Sequence, residues 1–132
     1  MKKILLLFVA TIICTTISAN KPYKVFCELV GKQKFLSAKC TVEIDMGQNP
    51  YENSKLVDKR GKKITFNSMV DAMNFMGRLG WEFEQAYVIA GENENVFHWL
   101  LSKDVVDDSE ANEGITTREQ FKKQQKKIDK QN

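Results

Sequence analysis

Residues 68–80 carry the strongest structural signal in this chain, a short amphipathic helix with a marked start and a marked end. Ser68 is a good N-cap, Asp71 follows three residues later, and Gly80 suits the left-handed position that ends many helices. A stripe rich in methionine usually packs on a sheet, although it can also form an adaptable binding groove. We therefore predict a helix over residues 68–80 that covers one face of a sheet. The apolar residues at helical spacing are Met69, Ala72, Met73, Met76 and Leu79, with Val70 and Phe75 beside them.

Segments on both sides of this helix alternate between apolar and polar residues with period two, as half-buried strands do. After the helix, residues 81–90 and 95–103 are separated by a short polar segment and predict a β-hairpin. Apolar residues occupy both faces of the second of these segments, which predicts a central strand. Before the helix, residues 22–30 and 38–46 predict another hairpin.

The register of that first hairpin decides what its two cysteines do. If the hairpin is centred between Gln33 and Lys34, Cys27 lies directly opposite Cys40. Directly opposed cysteines are close enough for a disulfide, so we predict a Cys27–Cys40 bond. The alternative is two buried free thiols that act as small apolar residues. The same register aligns the further pairs Val25–Val42, Tyr23–Ile44, Lys24–Glu43 and Glu28–Lys39.

Residues 1–19 have the layout of a secretory signal peptide. A basic start at residues 1–3 precedes an apolar run at residues 4–14, and small residues follow as far as Ala19. The apolar run is too short to span a bilayer. We predict an exported protein, periplasmic or secreted, with cleavage after Ala19. Cys14 is a poor lipidation site because a bulky isoleucine precedes it, so the membrane is expected to matter only during export unless Cys14 is lipidated.

The charge of the chain is a weak guide to its partner. The formal net charge is +3, and two of the basic residues, Lys2 and Lys3, belong to the predicted signal peptide. We therefore expect no nucleic acid partner. The segments 55–58 and 63–66 predict a short third hairpin around a basic turn, which is either an anion-binding patch or, as we favour, a solvated turn.

The composition changes at Asp104, where we place the end of a single domain over residues 20–103. Residues 104–114 contain five acidic residues and no basic one, whereas residues 115–132 contain six basic residues and two acidic ones. Such a segment offers few apolar anchors, mainly Phe121 and Ile128, so we predict a charged tail that is mobile or partly helical. Its best helix start is a capping-box pattern at Thr116 and Glu119.

Enzyme templates do not fit the sequence. It has no Gly-rich phosphate loop and no dinucleotide fingerprint. His98 is the one histidine, which is too few for a histidine-based metal site. Asp104, Asp107 and Asp108 lack the central glycine and the spaced oxygen series of a calcium loop. We therefore predict no catalytic residue, no metal ligand and no cofactor.

A local motif gives one resemblance. The helix ends in Leu79-Gly80-Trp81-Glu82, a hairpin ending in the basic residue Lys103 follows, and Tyr23-Lys24-Val25 opens the first strand. In these features the segment from residue 66 to residue 103 resembles a family of small bacterial proteins of unknown function. The resemblance implies a small sheet-plus-helix domain, here in an exported form, and brings no established activity or catalytic residue.

These patterns together predict an α+β fold. We expect an antiparallel sheet of four or five strands in the order ββ(β)αββ, with one helix packed on one face. The residues predicted for its core include Trp81, Met73, Met76, Phe97 and Trp99.

The function expected from the sequence is that of a small exported binding or accessory protein. It would act through a protein or glycan surface and not by catalysis, with an unknown protein or envelope component as its partner. The alternative is a small exported hydrolase that uses Glu82, Glu84 or His98.

Overall fold

The structure, a computed structural model, describes residues 20–34 and 36–131. The predicted signal peptide at residues 1–19, its cleavage site and Cys14 lie outside the described residues.

One antiparallel sheet of four strands organises the fold. The strands are β1 (Tyr23–Lys34), β2 (Cys40–Asp45), β3 (Glu82–Ala90) and β4 (Glu94–Val105). Their order across the sheet is β2-β1-β4-β3, so β1 and β4 are the two central strands. The predicted α+β class is confirmed. The predicted central position of the strand at residues 95–103, which is β4, is also confirmed.

Helix α1 (Met69–Arg78) lies between β2 and β3 in the chain and begins and ends where the sequence predicts. The Ser68 side chain accepts a hydrogen bond from the Asp71 backbone N–H at 3.2 Å. Gly80 has φ of +87°, the left-handed conformation that a side chain would strain. The helix buries Met69, Ala72 and Met76 against the sheet.

The hydrophobic core lies between α1 and one face of the sheet. Of the predicted core residues, Trp81 and Met76 are buried, while Met73, Phe97 and Trp99 are half-buried and pack against the buried cluster. The strands contribute alternate residues to this cluster, as expected for a sheet with one covered face. Its buried strand residues are Cys27, Leu29, Cys40, Val42, Ile44 and Leu101.

The register of β1 with β2 differs from the prediction. Cys40 lies opposite Gln33, and Cys27 pairs with Leu101 of β4. Cys27 is therefore six positions from the partner of Cys40, about 20 Å along the strand, which is far beyond the reach of a disulfide. Both thiols are free and buried, so the predicted disulfide is wrong. The shift is by an even number of residues, which explains why both cysteines still face the core.

The predicted third hairpin does not form strands. Val57 and Lys63 make a single antiparallel bridge around a tight turn. The same segment crosses the outer edge of β2, where Lys55 bridges Glu43 and Phe66 bridges Cys40. Within the described residues the sheet therefore has four strands, and this segment covers one of its edges.

Of the two alternatives predicted for the tail, mobile or partly helical, the structure shows the helical one. After β4 the chain forms two helices, α2 (Asp108–Ala111) and α3 (Arg118–Asp129). The chain between these two helices is anchored, because Ile115 belongs to the core and the Val57 N–H donates to the Thr116 carbonyl at 3.0 Å. The capping box of α3 uses Thr117 and Gln120, one residue later than predicted. A single isoleucine and a few backbone hydrogen bonds thus anchor a segment whose composition predicts a solvated tail.

Candidate functional site

The second face of the sheet, opposite α1, forms a surface that we call the open face. Register pairing places the even-numbered residues of β1 and β4 on this face. None of its apolar residues belongs to the core cluster or packs against it among the described residues. Of the apolar residues of the open face, Phe26 is exposed, whereas Val30, Val96 and Leu100 are half-buried.

Strand β3 is the free edge of the sheet. All nine of its residues are exposed, including four large apolar side chains that are between 50% and 55% exposed. The opposite edge is covered, because the Leu56 N–H donates to the Val42 carbonyl and the Ile44 N–H donates to the Ser54 carbonyl. No described strand pairs with the outer side of β3. Natural proteins generally cover or charge such an edge, so its exposure is a candidate functional feature. The four side chains are Phe83, Tyr87, Val88 and Ile89.

A polar cluster lies where β3 meets the open face. The Tyr87 hydroxyl donates to Glu28 Oε1 at 3.0 Å and reaches it across the His98 ring, which stacks on the Tyr87 ring at 4.6 Å with a 3° tilt. His98 Nδ1 is 3.3 Å from Glu28 Oε2, a close contact without hydrogen-bond geometry. The hydrogen bond to the Glu28 carboxylate raises the pKa of Tyr87. This cluster therefore joins side chains of three strands, Glu28 of β1, His98 of β4 and Tyr87 of β3.

The residues considered for a hydrolase do not come together. His98 contacts Glu28, whereas the Glu84 carboxylate accepts a hydrogen bond from Ser102, four residues further along β4. Four strand residues span about 13 Å, which is too far for His98 and Glu84 to share one reacting atom. Glu82 lies opposite Ser102, at the same distant end of the strand.

Ser102 itself is a polar residue that the sequence did not single out. Its hydroxyl accepts from Lys24 Nζ at 3.3 Å and donates to Glu84. A serine beside a lysine is one known nucleophile arrangement. Here Ser102 has 0% exposure, so a substrate cannot reach its hydroxyl, and the contacts link β1, β4 and β3.

The acidic residues after β4 have local structural roles. Asp107 is the N-cap of α2 and accepts from the Ser109 N–H at 2.8 Å. Hydrogen bonding from the Ser109 side chain, and then from its backbone N–H, lowers the pKa of Asp107. Asp108 accepts a hydrogen bond from the Tyr23 hydroxyl, which raises the pKa of that tyrosine to about 12. Across residues 20–34 and 36–131, no three potential ligand residues are grouped to hold a metal ion. In the same ranges, no helix has both the length and the apolar character needed to cross a membrane.

Comparison of the chain with protein-family models, with curated proteins and with solved structures gives no significant match. The resemblance of the helix and second hairpin to small bacterial proteins therefore stays a prediction.

Proposed function

We propose that this is a small exported protein without catalytic activity that binds a partner protein through β3 and the adjoining open face. The observation that carries the proposal is the exposure of all nine residues of β3, on an edge that no described segment covers. An extended segment of the partner would add to this edge by main-chain hydrogen bonds, with its side chains on the exposed apolar residues of β3.

The charge of β3 indicates the chemistry of the partner segment. The strand contains two acidic residues, Glu82 and Glu84, and no basic residue. Lysine on an edge strand is a common protection against pairing, and this edge has none. We therefore propose a partner strand with apolar residues on alternate positions and a basic residue facing the glutamate end.

The proposed setting is outside the cytoplasm. It rests on the signal-peptide pattern of residues 1–19 and makes an envelope or secreted protein the expected partner. The hydrolase alternative has less support, because His98 contacts Glu28 and lies far from Glu82 and Glu84.

The test compares a double lysine variant of β3 with a single lysine variant on the surface of α1. Val88→Lys with Ile89→Lys puts a charge on each face of β3, while Val70→Lys puts one on α1, where Val70 is 62% exposed. Exposed positions tolerate such changes within about 0.5 kcal/mol, so all variants are expected to fold. A partner recovered from envelope fractions, purified and titrated against each variant, should bind the wild type and Val70→Lys but not the β3 variant.

Two outcomes would overturn the proposal. One is equal affinity of the purified partner for all three proteins. The other is the recovery of no partner together with turnover of a model substrate that His98→Ala abolishes.

A further inference from the structure

A cleft of about 310 Å³ lies at one end of the sheet, and half of its lining residues are lysines. It lies where β1 ends, where the connection to β2 runs, and where the segment after β2 crosses the sheet edge. Five of its ten lining residues are lysines, and they come from three separate parts of the chain: Lys32, Lys34, Lys39, Lys55 and Lys63.

Backbone pairing brings these distant lysines together. Lys55 bridges Glu43 of β2, and Lys63 bridges Val57 in the same crossing segment. Lys32 lies opposite Thr41 in the β1–β2 register, which places the end of β1 beside the start of β2. The convergence is therefore a consequence of the fold and does not appear as a cluster in the sequence.

The lysines of this cleft are mostly uncompensated. Lys32 forms an ion pair with Glu43 at 3.5 Å. The other four lysines have no carboxylate oxygen within ion-pair distance in the described parts of the chain. Glu94 is the remaining acidic residue of the lining. Like charges held around one cleft repel each other, and a bound anion would relieve that repulsion.

Hydroxyl groups complete a set of donors for an oxyanion. Ser37, Thr41 and Thr65 also line the cleft. Ammonium and hydroxyl donors suit the tetrahedral oxygens of a phosphate or sulfate group, for which lysine acts as a point charge. The volume is at the small end of the range for ligand sites, which fits a compact group rather than a long polymer.

The neighbouring basic turn does not by itself form this site. The Asp58 carboxylate accepts from the backbone N–H groups of Arg60 and Lys62, which closes the turn. Of the four basic residues in that turn, Lys63 alone is in the cleft lining. The turn itself is thus explained by its own hydrogen bonds, and the anion-binding chemistry lies beside it.

We propose that this lysine cleft binds a compact phosphate or sulfate group, either free or as the headgroup of an anionic lipid. The cleft contains no residue of β3 but shares Lys32, Lys34 and Glu94 with the open face. Its test uses no partner protein, so it does not depend on the proposed function.

The test uses a charge-matched pair of double variants of the purified protein. Lys34→Gln with Lys63→Gln removes two charges from the cleft, and Lys122→Gln with Lys126→Gln removes two from the exposed side of α3. Pyrophosphate is titrated by calorimetry at low ionic strength, and vesicles of phosphatidylglycerol or phosphatidylcholine are tested by flotation. Loss of two lysine contacts should weaken anion binding about tenfold or more in the cleft variant. The control variant should change the affinity by less than about twofold.

The arms of this experiment distinguish the source of the anion. Binding of pyrophosphate supports a free group, and binding of phosphatidylglycerol vesicles without pyrophosphate supports a headgroup. The proposal is overturned if neither probe binds, if both double variants lose affinity equally, or if a single-stranded oligonucleotide is the sole anion that binds.

Discussion

Ile115→Ala tests whether the chain after β4 belongs to the folded unit. Ile115 is 6% exposed and belongs to the core cluster, although the composition around it is that of a solvated tail. The substitution removes about three buried carbon groups, each contributing about 0.8 kcal/mol, and leaves a cavity that adds to the loss. We expect the free energy of unfolding to fall by about 3 kcal/mol.

Ile128→Ala is the matched control, because it is the same substitution in the same segment at a residue that is 50% exposed. Its effect should lie within about 0.5 kcal/mol. Urea unfolding followed by tryptophan fluorescence measures both variants. A typical urea slope for a domain of this size converts the loss at Ile115 into a midpoint shift of about 1.5–2 M.

The two variants together distinguish a segment that docks on the core from a mobile tail. If Ile115→Ala moves the urea midpoint no more than Ile128→Ala does, the segment after β4 does not dock on the core. The mobile tail predicted from composition would then be the better description.

Three further predictions follow from local geometry. Burial raises the pKa of Cys27 to about 12, so a thiol alkylator should add no group to the native protein that lacks residues 1–19. After unfolding without reductant, the intact mass should show two added groups. If no group is added after unfolding, the two cysteines form a disulfide. In thermal unfolding, Gly61→Ala should lower the stability of the fold by about 2–3 kcal/mol and Gly47→Ala by about 1 kcal/mol. Both glycines have positive φ, but only a Cβ at position 61 would meet the Phe121 ring. Equal losses of stability would contradict that contact. Backbone N–H groups of Lys62 and Arg60 lower the pKa of Asp58, so its charge stabilises the fold above the unfolded pKa, and that contribution is lost as the pH falls through the lower folded value. The melting temperature of the wild type should therefore exceed that of Asp58→Asn at pH 7 by a margin that shrinks toward pH 3, and a margin independent of pH would argue against the charge effect.

Local patterns predicted α1 and its ends well, because the N-cap hydrogen bond of Ser68 and the positive φ of Gly80 are properties of a few consecutive residues. Period two also placed Cys27 and Cys40 on the core face correctly. It could not choose the register, since every even shift of one strand keeps the same faces inside. The charge pairs that favoured the predicted register are replaced by others, such as Lys24 with Asp104 at 3.8 Å.

The candidate surfaces were much less predictable than the helix. The alternation in the second hairpin indicated a half-buried strand. All residues of β3 are exposed instead, because α1 does not cover this edge strand and no described strand pairs with its outer side. The residues of the hydrolase alternative stay apart for a related reason. His98 and the glutamates of β3 are close in the sequence, but strand pairing places His98 next to Glu28. The lysine cleft has no sequence signal, because its lysines are up to 31 positions apart, from Lys32 to Lys63.

The sequence by itself determined where α1 and the four strands lie, and which side chains of β1 and β2 turn inward. Those properties depend on spacing over a few residues, where backbone geometry repeats at 3.6 or 2 residues. Only the tertiary structure decided which strands pair, that Ile115 docks on the core, that the two thiols remain apart, and that β3 is left uncovered. Those properties depend on contacts between distant parts of the chain, whose energies differ little between alternative registers until the whole core is packed.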